Sequence, residues 1–545
     1  MKKILILLFT ILASASATAC TNFLVGKDAS ADGSVFISYN ADSYGMFGKL
    51  VYLPHKKHPK GAMRKIIDGD TNHYYGDIPE VSETYAVMGY INEFQLSIME
   101  TTFGGREELV DNTGMIDYVS LMRLGLQRAK TAREAIKVMT SLVEEYGYVS
   151  EGESFSIADP KEIWILEMIG KGPGRRGTNW VAVRIPDNAI ACHANHSRIR
   201  KFFQYKDTEV LHSKGIVEFA REKGFFNGKD EDFDFSAAFA PADFGAIRYC
   251  ETRVWSFYNR FVDGMDKYLD YADGHHIDTA APMPLWFIPR HKLSLQDIFA
   301  SMRDHYEGTP FDVTKDCGMG PGEMPYRPTP LEFEYNGKKY FNERPISTQQ
   351  TADTYVAQLR SWLPDAVGGI LWYGQDEPNM IAYVPVYCQN TRVPECFDAP
   401  NADGVTFSWD SAFWVCNWVA NMTYPRYNVI FPVVREVRDA TEKEIFAALP
   451  AVEQRAIAAK GRSTDEMREV LTRYSEDTAA KMLKTWRKLG ERIIVEFNDM
   501  TIKPRENGKY KMTEDGLPIP PKRPGYTENT KRLIIEQTGD KYLIP

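Results

Sequence analysis

The 545-residue chain lacks most of the short signatures by which a catalytic or binding module is read. No C-x-x-C occurs among its seven cysteines, so a structural zinc ribbon is not expected. There is no H-E-x-x-H, and His275-His276 lacks the i, i+4 spacing that sets two ligands on one helix face. His291 and His305 flank a helical stretch, with nothing nearby in sequence to complete a metal site. G-x-S-x-G is missing, which disfavours the serine of an α/β-hydrolase. The glycine-rich "GKGPGRRG" (170–177) has no Lys-Ser/Thr ending, so it reads as a hairpin turn rather than a phosphate loop. No Lys/Arg block stands out and the net charge is −9, which argues against nucleic acid as a partner. No internal repeat is visible, and no run beyond residue 19 is apolar enough for a membrane helix.

What is present is an ordinary globular composition, 43% hydrophobic and 26% charged, with 29 Tyr, 29 Phe and 10 Trp that favour packed sheets over disorder. The length allows two or more domains. Residues 1–19, "MKKILILLFTILASASATA", have the form of a secretory leader. Lys2 and Lys3 are its positive end, Ile4 to Leu12 its short apolar run, and Ala17-Thr18-Ala19 its cleavage pattern. The mature chain is therefore expected to be soluble and exported, periplasmic or secreted. Export permits disulfides, and Cys388 and Cys396, closing "CQNTRVPEC", are the first pair to expect. An odd count leaves at least one thiol unpaired, and Cys20 is the candidate.

The first 180 residues after the leader alternate strands in runs with helix. "TNFLVG" and "VFISYN" read as strands joined through the Asp32-Gly33 turn. "TYAVMGYI" and "FQLSIMETT" follow, then a helix in "REAIKVMTSLVEEYG" with Ile136, Met139, Leu142 and Val143 at helical spacing. Four more strands are expected in "SFSIAD", "EIWILEMI", "NWVAVRI" and "AIACHAN". Such runs suggest layered α+β rather than alternating βαβ. "WDSAFWVCNWV" alternates large and small residues and reads as core rather than a sugar platform. From about residue 436 helix formers take over. Capping boxes at Thr441-x-x-Glu444 and Ser463-x-x-Glu466 would open two helices, and the tail from 500 would be extended.

Cys20 has three readings: an ordinary small residue, a lipid-modified cysteine, or a nucleophile. Cleavage after Ala19 would leave its thiol and a free α-amine on one residue. An α-amine ordinarily titrates near about 7.7–8.0, so it is a usable general base for the thiol. The lipid reading wants an aliphatic residue at −3, where Ala17 stands, and a flexible tether after the cysteine, where a strand begins.

"CTNFLVGKDASADGSVFISYNADS" resembles the N-terminus of the C69 dipeptidase family of N-terminal-nucleophile (Ntn) hydrolases. The likeness continues in order through "NEFQLSIMETTFGGR" (92–106), "EEYGYVSEGESFSIADPKEIWILEMIGKG" (144–172) and "NWVAVRIPDNAIACHANHSRI" (179–199). It runs on in "MRDHYEGTPFDVTKD" (302–316), "ISTQQTADTYVAQLRSWLPD" (346–365) and "FSWDSAFWVCNWVANMTY" (407–424). The resemblance implies an α+β fold, a four-layer αββα sandwich of two antiparallel sheets, with the C-terminal helical region added. It implies a division into leader 1–19, catalytic domain 20–435, and helical region with tail 436–545.

It also implies an exported cysteine dipeptidase acting on dipeptides or short peptides through a thioester, with signal peptidase maturing it and neither metal nor organic cofactor. Cys20 matches the nucleophile, and Asp42 a position where relatives hold the α-amine. Asn92 and Asn195 match positions where relatives place side-chain amides near the reacting carbonyl, as an oxyanion requires. Arg253, in "ETRVW", is a further candidate for a cation near the site, or else a surface or sheet-edge arginine. Relatives read Arg-Asn-x-Asp where this chain reads Tyr39-Asn40-Ala41-Asp42, so the cation usual there is missing. Alternatives are a bile-salt- or penicillin-type acylase on the same scaffold, and a lipid-anchored binding protein.

Overall fold

The computed structural model describes residues 20–327, 332–341 and 343–544. The expected leader, 1–19, lies outside the described residues. The chain is built on two large antiparallel sheets. The first has seven strands, in the order Trp286–Phe287, Ile190–His193, Asn22–Val25, Val35–Asp42, Thr351–Leu359, Gly369–Gln375 and Val384–Tyr387. The second has eight, in the order Val210–His212, Thr178–Ile185, Ile163–Gly170, Gly152–Ala158, Ser97–Gly104, Ile91–Asn92, Val87–Met88 and Tyr52–Leu53. The N-terminal strand is thus central, paired with Ile190–His193 on one side and Val35–Asp42 on the other.

Strand alternation decides which core each side chain enters. In Ile163–Gly170, Ile163, Ile165 and Ile169 join the core shared with the seven-stranded sheet. Trp164, Leu166 and Met168 pack instead with Ile136, Met139 and Val143 of the helix Ala132–Tyr146. Both faces are therefore buried, which is why these strands read as nearly continuous apolar runs. Two long helices, Tyr427–Lys460 and Thr464–Glu496, form an antiparallel hairpin: Glu436 meets Arg492 at 3.6 Å, and the Tyr474 hydroxyl donates to the Ile445 carbonyl at 3.3 Å. Buried Trp486 docks this C-terminal helical region by donating its indole N–H to the Met380 carbonyl at 2.9 Å.

Most of the expected strands form, but several local expectations do not hold. Asp32-Gly33 is not a two-residue hairpin turn. The link from Val25 to Val35 is longer, with Gly33 at φ +85° and Asp32 accepting from the Ser34 N–H. "TYAVMGYI" is divided among three two-residue strands, broken at Gly89 (φ +58°). Thr441 does not start a helix; it lies inside Tyr427–Lys460 with its hydroxyl on the Val437 carbonyl. Ser463 does cap, accepting from the Glu466 N–H at 3.0 Å. The expected boundary at 435/436 falls within that same continuous helix. The tail is not wholly extended, since Thr527 caps a helix over Glu528–Thr538. All seven cysteines are free thiols. The Cys388–Cys396 bridge is absent, and Cys388 Sγ donates to the Asp365 carbonyl at 3.1 Å. Among the described residues no helix is long and apolar enough to cross a membrane.

Candidate active site

Cys20 stands just ahead of the central strand and is 4% exposed. Thr21 and Asn40 exchange backbone hydrogen bonds at 3.4 and 3.1 Å, which fixes the residues that lead into Asn22–Val25 against Val35–Asp42. Both backbone ends of Cys20 are gripped by side chains. Its N–H donates to Asn195 Oδ1 at 3.0 Å, and its carbonyl accepts from Arg253 at 2.5 Å.

Arg253 is not a surface residue. It projects from the helix Phe244–Phe261, is fully buried, and also donates to Thr21 Oγ1 at 2.8 Å and Asn195 Oδ1 at 2.9 Å. Its own Nε is tied to the Tyr249 carbonyl at 3.0 Å. The orientation of Asn195 follows from its partners. Two N–H donors face its oxygen, while its nitrogen donates to the Thr102 carbonyl at 2.8 Å. Asn195 therefore presents a hydrogen-bond acceptor to the Cys20 nitrogen.

The sulfur has polar neighbours of its own. Sγ lies 3.5 Å from the Tyr39 hydroxyl and 3.8 Å from Glu100 Oε1. Burial pushes the thiol well above its ordinary value, and the charges of Glu100 and Asp42 push it further. The Tyr39 hydroxyl and the Asp42 N–H oppose that shift. The thiol is therefore protonated at rest and needs a base to react. Asp42 is buried on the same strand as Tyr39. Its carboxylate accepts from Thr351 Oγ1 at 2.6 Å and pairs with Arg344 at 2.8 Å. Burial raises the Asp42 carboxyl, against the pull of Arg344.

Cys20, Asp42, Asn195 and Arg253 are thus brought together, and Asn92 is not. Its amide donates to the Leu126 and Ala129 carbonyls, each at 2.8 Å, and its oxygen accepts from Phe94 and Leu96 N–H groups. All four hydrogen-bonding positions serve a turn against a helix end, which removes it from an oxyanion role.

Sequence reasoning missed three residues here: Glu100, Glu153 and Arg344. The signal for the glutamates was available. Each is an acid inside a strand whose other residues are mostly buried, and an acid is rarely placed there without a purpose. Glu100 Oε1 accepts from the Tyr39 hydroxyl at 2.5 Å, and Glu153 from Thr102 Oγ1 at 2.7 Å. Burial lifts Glu100 to about 7 against the lowering bond from Tyr39; burial and then the Glu100 charge lift Glu153 well above the carboxylate range.

Asn195, Glu153 and Arg344 open onto a cavity of about 1020 Å³. Asp68, Asp70 and Glu151 share its wall. Among the described residues these three acids and Glu153 form no ion pair, whereas Arg344 and Arg327 on the lining are held by Asp42 and Asp316. The cavity therefore favours a cationic group in its occupant. Elsewhere, buried His305 pairs with Glu377 and Glu307, each at 3.1 Å, and is a structural ion pair. Among the described residues no cluster of His, Cys, Asp and Glu could hold a metal ion.

The model of peptidase family C69 matches residues 19–440. A probable dipeptidase from Salmonella dublin is 27% identical over 412 residues, 71% of this chain and 85% of that protein. Dipeptidase A of Lactobacillus helveticus is 27% identical over 458 residues, 79% of this chain and 86% of its own. A dipeptidase of Bifidobacterium longum (strain NCC 2705) is 28% identical over 421 residues, 68% of this chain and 73% of its own.

Proposed function

The chain belongs to peptidase family C69 and is a peptidase, and on that premise we propose that it is a dipeptidase whose nucleophile is Cys20, exposed as the N-terminal residue when 1–19 are removed. The observation that carries this reading is the grip on Cys20. Its nitrogen, carbonyl and sulfur each have a side-chain partner, and the partner of the nitrogen, Asn195, lines a cavity wide enough for a short peptide. A residue that was merely the first of a strand would need none of the three.

In the proposed reaction the Cys20 sulfur attacks the scissile carbonyl and the released α-amine handles protons, taking one from the thiol and giving one to the leaving amine. Asn195 Oδ1 holds that amine, Arg253 fixes the Cys20 carbonyl, and Asp42 adds negative charge beside the ammonium form. Water then hydrolyses the thioester. The acidic wall of Asp68, Asp70 and Glu151 suits the α-ammonium of a dipeptide and so favours free N-termini.

The two sheets, the helices packed on the eight-stranded sheet and the C-terminal hairpin support the four-layer Ntn sandwich. The leader supports export to the periplasm or medium. A diacylglyceryl group on Cys20 fits poorly, because the residue is buried and the strand follows with no tether.

The test is hydrolysis of unmodified dipeptides, with N-acyl amino acids as the competing class. Cys20→Ser, a small residue for a small one, is expected to abolish turnover while circular dichroism stays unchanged. A chain with Met retained before Cys20 is expected to be inactive too, its base locked in a peptide bond. Full turnover by Cys20→Ser would remove the nucleophile from this account, and faster turnover of acyl amides than of dipeptides would favour an acylase.

A further inference from the structure

Tyr39 breaks the sequence pattern at this site, and its hydroxyl is fully engaged. It lies 3.5 Å from Cys20 Sγ and donates to Glu100 Oε1 at 2.5 Å. That distance is in the range of a charge-assisted O–H···O⁻ bond, which stabilises the anionic form of Glu100 at the oxygen facing the sulfur. The same Oε1 is 3.8 Å from Sγ, within reach of an S–H donor. Tyr39 belongs to the seven-stranded sheet, Cys20 leads into its central strand, and Glu100 belongs to the eight-stranded one. The contact therefore spans the two sheets at the nucleophile. Glu100 has no ion pair among the described residues. Glu153, a second buried acid whose carboxyl is pushed up by burial and by the Glu100 charge, lines the cavity. Two buried carboxyls that repel in this way do not both ionise, so the pair retains a proton.

We infer that Glu100 is a further catalytic residue, whose Oε1 takes the Sγ proton of Cys20 as the sulfur attacks, with Tyr39 positioning that oxygen. The inference rests on Cys20 being the nucleophile, and it divides the proton work assigned above to the α-amine alone. The Sγ–H bond breaks toward Glu100, the sulfur pair forms the C–S bond, and the carbonyl π pair moves to oxygen. On collapse the C–N pair goes to the leaving nitrogen, which takes a proton from the Cys20 α-ammonium. In hydrolysis the attacking water gives its proton to the now neutral α-amine. The C–S pair returns to sulfur, which recovers its proton from Glu100. Each group ends as it began. The arrangement has an electrostatic reason. An ionised Glu100 opposes a free thiolate beside it, but moving the proton to Glu100 discharges the carboxylate as the sulfur acts. Its value near 7 also matches the acceptor to neutral pH far better than an ordinary glutamate would be.

The experiment is the pH–rate profile of Glu100→Gln on the processed enzyme with a dipeptide substrate. The expected result is a kcat about 100-fold lower with KM little changed, and loss of an acid limb expected near pH 7 in the wild type. Tyr39→Phe is the second variant. It removes the bond that lowers the Glu100 carboxyl, so the acid limb is expected to move to higher pH. Glu100→Gln with wild-type kcat and an unchanged acid limb would overturn the inference, as would an unmoved limb in Tyr39→Phe should Glu100→Gln fail to fold. Neither outcome touches the nucleophile, which Cys20→Ser tests separately; an active Cys20→Ser would defeat the underlying reading whatever Glu100→Gln does.

Discussion

Replacing Arg253 by lysine keeps the charge and removes the fork, and its effect can be worked from the hydrogen bonds. The guanidinium donates to the Cys20 carbonyl, Thr21 Oγ1, Asn195 Oδ1 and the Tyr249 carbonyl, from a side chain with no exposure. A lysine ammonium carries its donors on one atom and cannot span acceptors arranged for a planar group. If it keeps two of the four bonds, two charged hydrogen bonds are lost, each worth about 1.5–3 kcal/mol. Relaxation recovers part of this, so unfolding in urea is expected to show a loss of about 3 kcal/mol. Activity is expected to fall further than stability explains. Arg253 is the only side chain among the described bonds that holds the Cys20 carbonyl, and it also steadies Asn195 against the Cys20 nitrogen. A nucleophile displaced by a fraction of an ångström loses on the order of 100-fold in kcat/KM. The assay pairs dipeptide hydrolysis with a urea melt at the same pH. Arg253→Lys with kcat/KM within a factor of about three of wild type, and no change in melt, would refute the claim that this arginine sets the nucleophile's position.

Two further predictions concern the scaffold. Glu307 and Glu377 raise buried His305 to about 10 despite the opposing effect of burial. A raised histidine contributes its full stability below its unfolded value of about 6.5 and loses it as pH climbs toward 10, so urea melts should show stability falling across that window. His305→Gln is expected to flatten the dependence and to cost about 3 kcal/mol at neutral pH, since it leaves the buried Glu377 carboxylate without its cation; a variant with the wild-type slope would contradict this. Gly490 lies where a Cβ would come within 2.0 Å of the Trp418 ring. Gly490→Val is expected to destabilise the protein by about 1–3 kcal/mol through overpacking where that ring meets the helical hairpin, and an unchanged thermal melt would show that Trp418 moves freely.

The fold was legible where pattern and burial agree. Strands such as Ile163–Gly170 are buried on both faces, so their apolar runs stand out, and the helix Ala132–Tyr146 shows its period because only one face meets the sheet. Punctuation was less legible. Thr441-x-x-Glu444 has the residues of a capping box, yet the apolar stripe already begins at Ile430 and Val434, and a helix propagates through such a box when packing continues on both sides. Cys388 and Cys396 are close in sequence, but both thiols are drawn into core packing. At the site, the backbone grip on Cys20 was half legible. Arg253 and Asn195 could be named from their surroundings, but not the orientation of the Asn195 amide, which depends on three partners far apart in the chain. Asn92 looked equivalent to Asn195 because both end strands; only the fold separates an asparagine capping a turn from one facing Cys20. Glu100 and Tyr39 are 61 positions apart and meet only because the two sheets face each other.

The most direct measurement is mass spectrometry of the processed enzyme, acid-quenched during turnover of a dipeptide and digested. The account predicts an N-terminal peptide that begins at Cys20 and carries the aminoacyl group of the substrate as a thioester, lost on treatment with hydroxylamine. An active enzyme that still carries residues 1–19, or an aminoacyl adduct on any other residue, would contradict it.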